Sequence, residues 1–88
     1  MSPLIQAFGV AVRQCREARG WSQERLAEYS DLSRSYVGEI ERGSVIASLA
    51  TVEKLAKSMD MNSSALLMRG ETLCQKNSFG LRLTAIAC

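Results

Sequence analysis

Apolar residues recur at helical spacing along most of this chain, and polar residues fill the positions between them. Near the amino terminus, one stripe at i, i+3, i+7 and i+10 is formed by Ile5, Phe8, Val12 and Cys15. Ser2 and Pro3 suit the N-cap and the first helical position, and Gly20 interrupts the pattern. The pattern therefore predicts a first helix that packs through this stripe.

The stretch from Ser22 to Gly43 predicts two short helices joined by a sharp turn. Ser22 and Ser33 are both N-cap residue types, and glycine at position 43 ends a helix without steric cost. The link around Asp31 is too short for anything but a change of direction, and aspartate tolerates positive φ better than most residues. Such a pair can offer its second helix to the major groove of DNA.

The predicted third helix, from about Arg34 to Arg42, has two faces. Val37 and Ile40 share the apolar face, and the opposite face carries Ser35, Gly38, Glu39 and Arg42. An outward Gly38 would cost helix stability and would let the backbone approach another surface closely.

Two further helices are predicted after Ser48. The fourth has an apolar stripe of Leu49, Val52, Leu55, Ala56 and Met59. A shorter fifth helix, capped by Asn62 or Ser63 and ending at Gly70, carries four consecutive apolar residues, Ala65, Leu66, Leu67 and Met68. This is more than one core face needs, so we expect Leu66, Leu67 and Met68 at a subunit interface, although methionine also fills gaps in cores.

The last 18 residues are harder to interpret. Residues 71–76 could continue as a helical turn, whereas Phe79, Leu81 and Leu83 alternate with polar residues and glycine as a strand would. A lone strand must pair with a symmetry mate, pack as an irregular arm or stay mobile. We therefore expect a domain over residues 1–70 and a carboxy-terminal arm over 71–88 that contributes Phe79, Leu81 and Leu83 to dimerisation.

Composition narrows the possible functions. The 88 residues allow one small domain, and the net charge of +2 favours nucleic-acid binding through a local patch. Histidine is absent, and the three cysteines are odd in number and widely spaced, which argues against a disulfide framework and a zinc site and leaves inert thiols as the default. No apolar run could span a membrane. We expect a cytoplasmic protein with no catalytic residues, no metal and no cofactor.

Three groups of residues stand at a spacing typical of a known family. They are Gly20, Trp21, Ser22, Gln23, Glu24, Leu26 and Ala27, then Leu32 to Val37 with Ile40 to Gly43, and finally Ser48, Leu49, Thr51, Leu55, Ala56 and Lys57. Over about residues 8–67 the chain resembles the lambda-repressor and Cro-like (XRE-type) helix-turn-helix proteins. The start of the third helix, Arg34-Ser35-Tyr36, is similar to the controller proteins of restriction-modification systems.

The resemblance implies an all-α domain of five helices that binds double-stranded operator DNA as a homodimer, with the third helix in the major groove. It implies that Gln23 touches a phosphate and braces that helix. Bases or the adjacent backbone would be contacted by Arg34, Ser35, Tyr36 and Glu39, and Arg42 and Ser44 are further candidates for phosphate contacts. Arg16 and Glu41 match a structural ion pair of the family.

One departure from the family supports a different function. The loop after the third helix reads Val45, Ile46 and Ala47, where the family commonly carries a basic residue, asparagine and proline. An apolar loop could meet a partner, so the alternative is a protein-interaction module, antitoxin-like or a co-regulator subunit, that uses this loop and the arm.

Overall fold

The computed structural model describes residues 2–77, which form α-helices and no strand. In chain order the helices are α1 (Pro3–Ala18), α2 (Gln23–Ser30), α3 (Arg34–Arg42), α4 (Leu49–Ser58) and α5 (Ser63–Asn77). The predicted all-α, five-helix architecture is therefore confirmed.

Serine caps explain where four of these helices begin. In each case the serine hydroxyl accepts a hydrogen bond from the backbone N–H three residues later, at 3.0 to 3.2 Å; the caps are Ser2, Ser22, Ser33 and Ser48. Each bond satisfies a backbone donor that the helix leaves unpaired, and replacing such a cap by alanine typically costs about 0.5 to 2 kcal/mol.

Left-handed residues end α2 and α3. Asp31 has φ 59° and ψ 44°, and its N–H bonds to the carbonyls of Ala27 and Glu28. Gly43 closes α3 with φ 72°. Because Asp31 reverses the chain at once, only residues 31–33 separate the two helices, as the sequence predicts.

All five helices contribute to the core, and α2 packs on α3 and α4. Its fully buried large side chains are Val12, Leu26, Val37, Ile40, Leu55, Met59 and Leu66. Leu49 does not join them: it is 78% exposed, and the buried residues of α4 begin at Thr51. The apolar stripe predicted for the fourth helix therefore packs inward from Val52 onwards and without Leu49.

The fifth helix runs through Gly70 instead of ending there. A Cβ at Gly70 would lie 3.1 Å from the Cα of Phe8, so this glycine allows α5 to cross α1 closely. Leu66, predicted at a subunit interface, is completely buried in the chain's own core and is unavailable to a partner. Leu67 and Met68 remain exposed.

A second close crossing joins α1 to α3. A Cβ at Gly9 would lie 2.3 Å from the carbonyl oxygen of Ile40 and 2.7 Å from that of Glu41. No side chain fits in this gap, so the two helix backbones are in direct contact. The position of α3 is therefore set from behind by α1.

Chemically distinctive groups are few in the described residues. Over residues 2–77, no helix is long and apolar enough to cross a membrane, and no group of side chains could hold a metal ion. Cys15 is a buried free thiol, and Cys74 is also buried.

Candidate nucleic-acid interface

The outward face of α3 forms a shallow polar depression. It is lined by Gln23, Arg34, Ser35, Gly38, Glu39 and Arg42, and we call this set the polar depression. The other face of α3 buries Val37 and Ile40 in the core, as the helical period predicts. The helix is thus fixed by its apolar side and presents a polar side that carries two arginines.

Arg34 and Ser35 form the exposed first turn of α3, directly after the Ser33 cap. Arg42 is exposed in the last turn, and Glu39 between them is partly buried. Both ends of the face therefore carry a guanidinium, whose planar fork can donate two parallel hydrogen bonds to phosphate or to a base edge.

Gly38 faces this depression but is not open to solvent. A Cβ built on it would lie 3.2 Å from Arg42 Nη1 and 3.6 Å from Gln23 Oε1. A helical side chain covers the turn that precedes its own Cα, which is why Arg42, four residues later, lies over Gly38. The prediction of a bare outward glycine is therefore corrected: the side chains of Arg42 and Gln23 cover it.

A buried ion pair lies behind the depression. Arg16 binds Glu41 through two hydrogen bonds, Nε to Oε2 at 2.7 Å and Nη2 to Oε1 at 3.0 Å. The two side chains are only 11% and 3% exposed. The hydrogen bond with Glu41 raises the pKa of Arg16 above its usual value, against an opposing effect of burial. Arg16 also donates to the carbonyl of Trp21 at 2.8 Å, so one guanidinium ties α1 to α3 and to the approach to α2.

Gln23 connects this pair to the surface. Its Nε2 donates to Glu41 Oε1 at 2.9 Å, while its Oε1 lies on the side of Gly38. Gln23 therefore braces α3 from the first position of α2, as the resemblance implies. Glu41 accepts from both Arg16 and Gln23, so the three side chains form one network.

Two predicted contact residues lie outside the polar depression. Tyr36 is partly buried against the core, and its hydroxyl lies 3.4 Å from Thr51 Oγ1 at the start of α4. Ser44 is exposed, and its hydroxyl donates to the carbonyl of Glu39 at 3.1 Å. Each hydroxyl thus has a neighbour within the chain.

A second surface is apolar. It is a groove between the start of α1, the loop after α3, the start of α4 and α5. We call it the apolar groove. Its lining residues are Leu4, Ile5, Phe8, Ile40, Val45, Ile46, Ala47, Leu49, Val52 and Leu67. Ile46 is 71% exposed at its rim. The sequence predicts a contact surface at the loop but not at Leu4 or Leu49, and it assigns Leu49 to the apolar stripe of the fourth helix.

Two of the described residues predicted at an interface, Leu66 and Met68, do not line this groove. Met68 lines a separate surface depression beside Gln14 and Met61. Phe79, Leu81 and Leu83 lie outside the described residues.

Two short helices joined by a three-residue turn, with a polar face on the second, define a helix-turn-helix DNA-binding domain. The helix-turn-helix family model matches residues 12–66. The chain belongs to this family, in its XRE-type branch of DNA-binding transcription regulators. The resemblance proposed from the sequence is confirmed.

Individual relatives support the same assignment. The chain is 43% identical over 61 residues to the control protein C.BamHI of Bacillus amyloliquefaciens, which covers 68% of this chain and 75% of that protein. It is 35% identical over 66 residues to the competence pilus inhibition repressor of Acinetobacter baylyi, covering 75% of this chain and 60% of the repressor. Among solved structures, the restriction-modification controller protein C.AhdI of Aeromonas hydrophila superposes with a TM-score of 0.69 at 45% identity, over 70% of this chain and 94% of that one. The similarity to controller proteins indicated by the third helix is thus confirmed.

Proposed function

We propose that this chain regulates transcription in the cytoplasm by binding a pseudo-palindromic operator as a homodimer, with α3 in the major groove. The observation that carries the proposal is the polar depression: α3 keeps its apolar side in the core and turns Arg34 and Arg42 outward. A major groove about 12 Å wide admits one helix, and an exposed nine-residue helix suits it.

Arg34 is the residue we assign to base readout. It is exposed at the first position of α3, the end of a recognition helix that usually contacts base edges. Its guanidinium could donate to both major-groove acceptors of guanine, a contact worth about 1 to 3 kcal/mol of discrimination. Glu39 would accept from the amino group of cytosine, while Gln23, Ser35, Tyr36, Arg42 and Ser44 would contact phosphates or set the register.

The homodimer follows from the small size of the reading surface. One copy of α3 covers too few base pairs for selectivity, and two copies about 34 Å apart would read two half-sites. Leu67 and Met68 are the described residues that we propose for the subunit interface, because both are apolar and exposed on α5. The division into residues 1–70 and an arm of 71–88 that aids dimerisation stays a prediction.

Selection of bound sequences from random duplexes tests the proposal. We expect the parent protein to select a two-fold symmetric motif, and Arg34→Ala to lose the preference at one base pair in each half-site. Arg13→Ala is the matched control, because Arg13 is an exposed arginine of α1 outside the polar depression. Equal ratios of operator to random binding for the parent and Arg34→Ala would exclude Arg34 as a reader.

Sedimentation of two lysine variants tests the interface. Leu67→Lys places a charge in the apolar groove, and Met68→Lys places one in the neighbouring depression. We expect Leu67→Lys to shift the parent dimer towards monomer, because burying an unpaired ammonium in an apolar contact is costly. A parent that sediments as a monomer at all accessible concentrations would contradict the dimer.

The relatives also support a narrower role. C.BamHI is named a control protein and C.AhdI a restriction-modification controller protein. We propose that this chain likewise controls the genes of a restriction-modification system. A reporter carrying the selected operator upstream of such genes should respond to the chain, and an unchanged reporter signal would count against this role.

The apolar groove favours a second candidate, a protein-interaction module. Ile46 and Leu49 are 71% and 78% exposed, and side chains of this kind are usual at contact sites with other proteins. This alternative predicts weak, unselective DNA binding by the isolated chain and a stable complex with a different protein on pull-down. A symmetric selected motif with no such complex would decide against it.

A further inference from the structure

The middle of the recognition helix carries a glycine where any residue other than proline would stabilise the helix better. Gly38 lies inside α3 and does not have a positive φ, so no turn requires a glycine at this position. Its role must therefore lie in what its missing side chain makes possible. One possibility is direct approach of a duplex to the helix backbone; the other is room for a neighbouring side chain of the same protein.

The contacts around Gly38 favour the second possibility. The nearest atoms to a Cβ at this position would be Arg42 Nη1 at 3.2 Å, Gln23 Oε1 at 3.6 Å and Arg42 Cζ at 3.9 Å. The guanidinium of Arg42 thus lies against the helix where a side chain would otherwise stand. Gly38 itself is buried by this cover, so a duplex would meet Arg42 first.

Gln23 provides a fixed wall on the other side. Its Nε2 donates to Glu41 Oε1, and Glu41 is in turn held by two hydrogen bonds from Arg16. This leaves Gln23 Oε1 directed towards the hollow above Gly38. The hollow is therefore bounded by one flexible arginine and by one glutamine that a buried network holds in place.

We propose that Gly38 is a positioning residue that seats Arg42 for DNA contact. With no Cβ at position 38, the guanidinium of Arg42 lies close to the backbone of α3 beside Gln23 and presents its N–H groups to oxygen and nitrogen acceptors of the duplex. Those acceptors belong either to a phosphate or to a guanine edge, which offer the same hydrogen-bond chemistry. The inference rests on the proposed function and names a determinant of the same surface.

A double-mutant cycle tests the coupling. The parent, Gly38→Ala, Arg42→Ala and the double variant would be titrated by fluorescence anisotropy with the duplex that the parent selects. We expect Gly38→Ala to weaken binding about tenfold in the parent background, because the added Cβ displaces the guanidinium. In the Arg42→Ala background we expect no further loss. An equal loss in both backgrounds, or no loss in the parent background, would overturn the proposal.

Stability measurements keep a binding defect apart from a folding defect. The only tight contact of the added Cβ is with the far end of the Arg42 side chain, since Gln23 Oε1 at 3.6 Å is at ordinary van der Waals distance. Because alanine is also the better helix former, Gly38→Ala should melt at or above the temperature of the parent. Should this variant fail to fold, Arg42→Lys replaces it, since lysine keeps the charge but lacks the flat fork. Binding of Arg42→Lys at parental strength would overturn the proposal.

Salt dependence and sequence preference identify the acceptor. Loss of a phosphate contact in Arg42→Ala should weaken binding equally on all sequences and reduce the salt slope by about one, whereas loss of a base contact should relax the preference at one position. The control Arg13→Ala should bind as the parent does. A parent that binds no duplex refutes the proposed function and this inference together, while a parent that binds with an uncoupled Gly38 refutes the inference alone.

Discussion

Replacing Glu41 by glutamine removes one charge from the buried pair while keeping the side-chain shape. Arg16 is 11% exposed and donates twice to this carboxylate, and Gln23 donates to it as well. A glutamine amide would still accept hydrogen bonds through its oxygen, but its NH₂ group would face the donors of Arg16 or Gln23. Removing one partner of a buried ion pair typically costs about 3 to 5 kcal/mol, because the other charge is left uncompensated.

That cost is large for a domain of this size. Small domains are stable by about 5 to 15 kcal/mol, so Glu41→Gln should remove a large fraction of the free energy of unfolding. Urea unfolding followed by far-ultraviolet circular dichroism measures this loss. If the slope of the unfolding free energy against urea concentration is the same in parent and variant, the two-state comparison is valid.

The matched control is Glu17→Gln. Glu17 accepts from Arg13 Nε at 3.1 Å, but the side chains of Arg13 and Glu17 are 62% and 53% exposed. The same chemical change should therefore cost only about 0.3 to 0.5 kcal/mol. Adding Arg16→Met to Glu41→Gln removes the uncompensated charge and should recover part of the loss. A cost for Glu41→Gln no larger than that of Glu17→Gln would refute the argument.

The protonation of Arg16 does not complicate this measurement. Its hydrogen bond with Glu41 raises the pKa of Arg16 above its usual value. A raised pKa means that the contribution of Arg16 to stability is fully present below the unfolded-state pKa and is lost only as the pH rises through the folded-state pKa. Arg16 therefore remains charged throughout the neutral and acidic range.

Four other substitutions test the packing and the turn. Gly9→Ala should destabilise the fold by about 1 to 3 kcal/mol, measured by urea unfolding, because its Cβ would lie 2.3 Å from the carbonyl oxygen of Ile40; an unchanged midpoint would contradict this contact. Leu55→Ala should cost about 2 to 5 kcal/mol, and Leu49→Ala, at a position 78% exposed, less than about 0.5 kcal/mol in the same assay; equal losses would refute the assignment of the core. Asp31→Gly should stabilise the fold by about 0.5 kcal/mol, because glycine removes the strain of φ 59° and this gain exceeds the cost of the added freedom of the unfolded chain. The melting temperature should therefore rise slightly, and a lower melting temperature would contradict this prediction.

Local sequence signals were sufficient wherever the structure depends on nearest neighbours. Each serine cap needs only a hydroxyl and the backbone three residues later, so Ser22 and Ser33 mark where their helices begin. Likewise, the helical period alone identifies Val37 and Ile40 as buried. These features required no knowledge of tertiary packing.

Glycine and leucine positions that depend on other helices were predicted less well. A glycine that ends a helix and a glycine at a helix crossing look the same in sequence, so the sequence predicts a helix end at Gly70, whereas α5 continues to Asn77. Leu49 belongs to the apolar stripe of the fourth helix and Leu66 to the apolar run of the fifth, yet Leu49 lines the apolar groove and Leu66 lies in the core. The difference depends on which neighbour each helix meets.

The candidate site shows the same division. The helical period predicts Arg42 and Glu39 on the outward face of α3. The structure brings them together with Arg34 and Gln23 in the polar depression. The cover over Gly38 could not be seen in the sequence, because it involves a residue of α2 as well as one of α3. The bonds of Glu41 to Arg16 and Gln23 span 25 and 18 positions along the chain. Only the family resemblance predicted the ion pair of Arg16 and Glu41.

The backbone contact at Gly9 has a consequence for how this protein can change. The residues that fix the position of α3 lie mainly in α1, whereas most residues that face outward lie in α3 itself. Outward side chains such as those at positions 34 and 39 can therefore be substituted to give new DNA target preferences while the position of α3 stays the same. Gln23 belongs to both sets, since it bonds Glu41 and borders the outward face. Retargeting of this domain should therefore spare position 23.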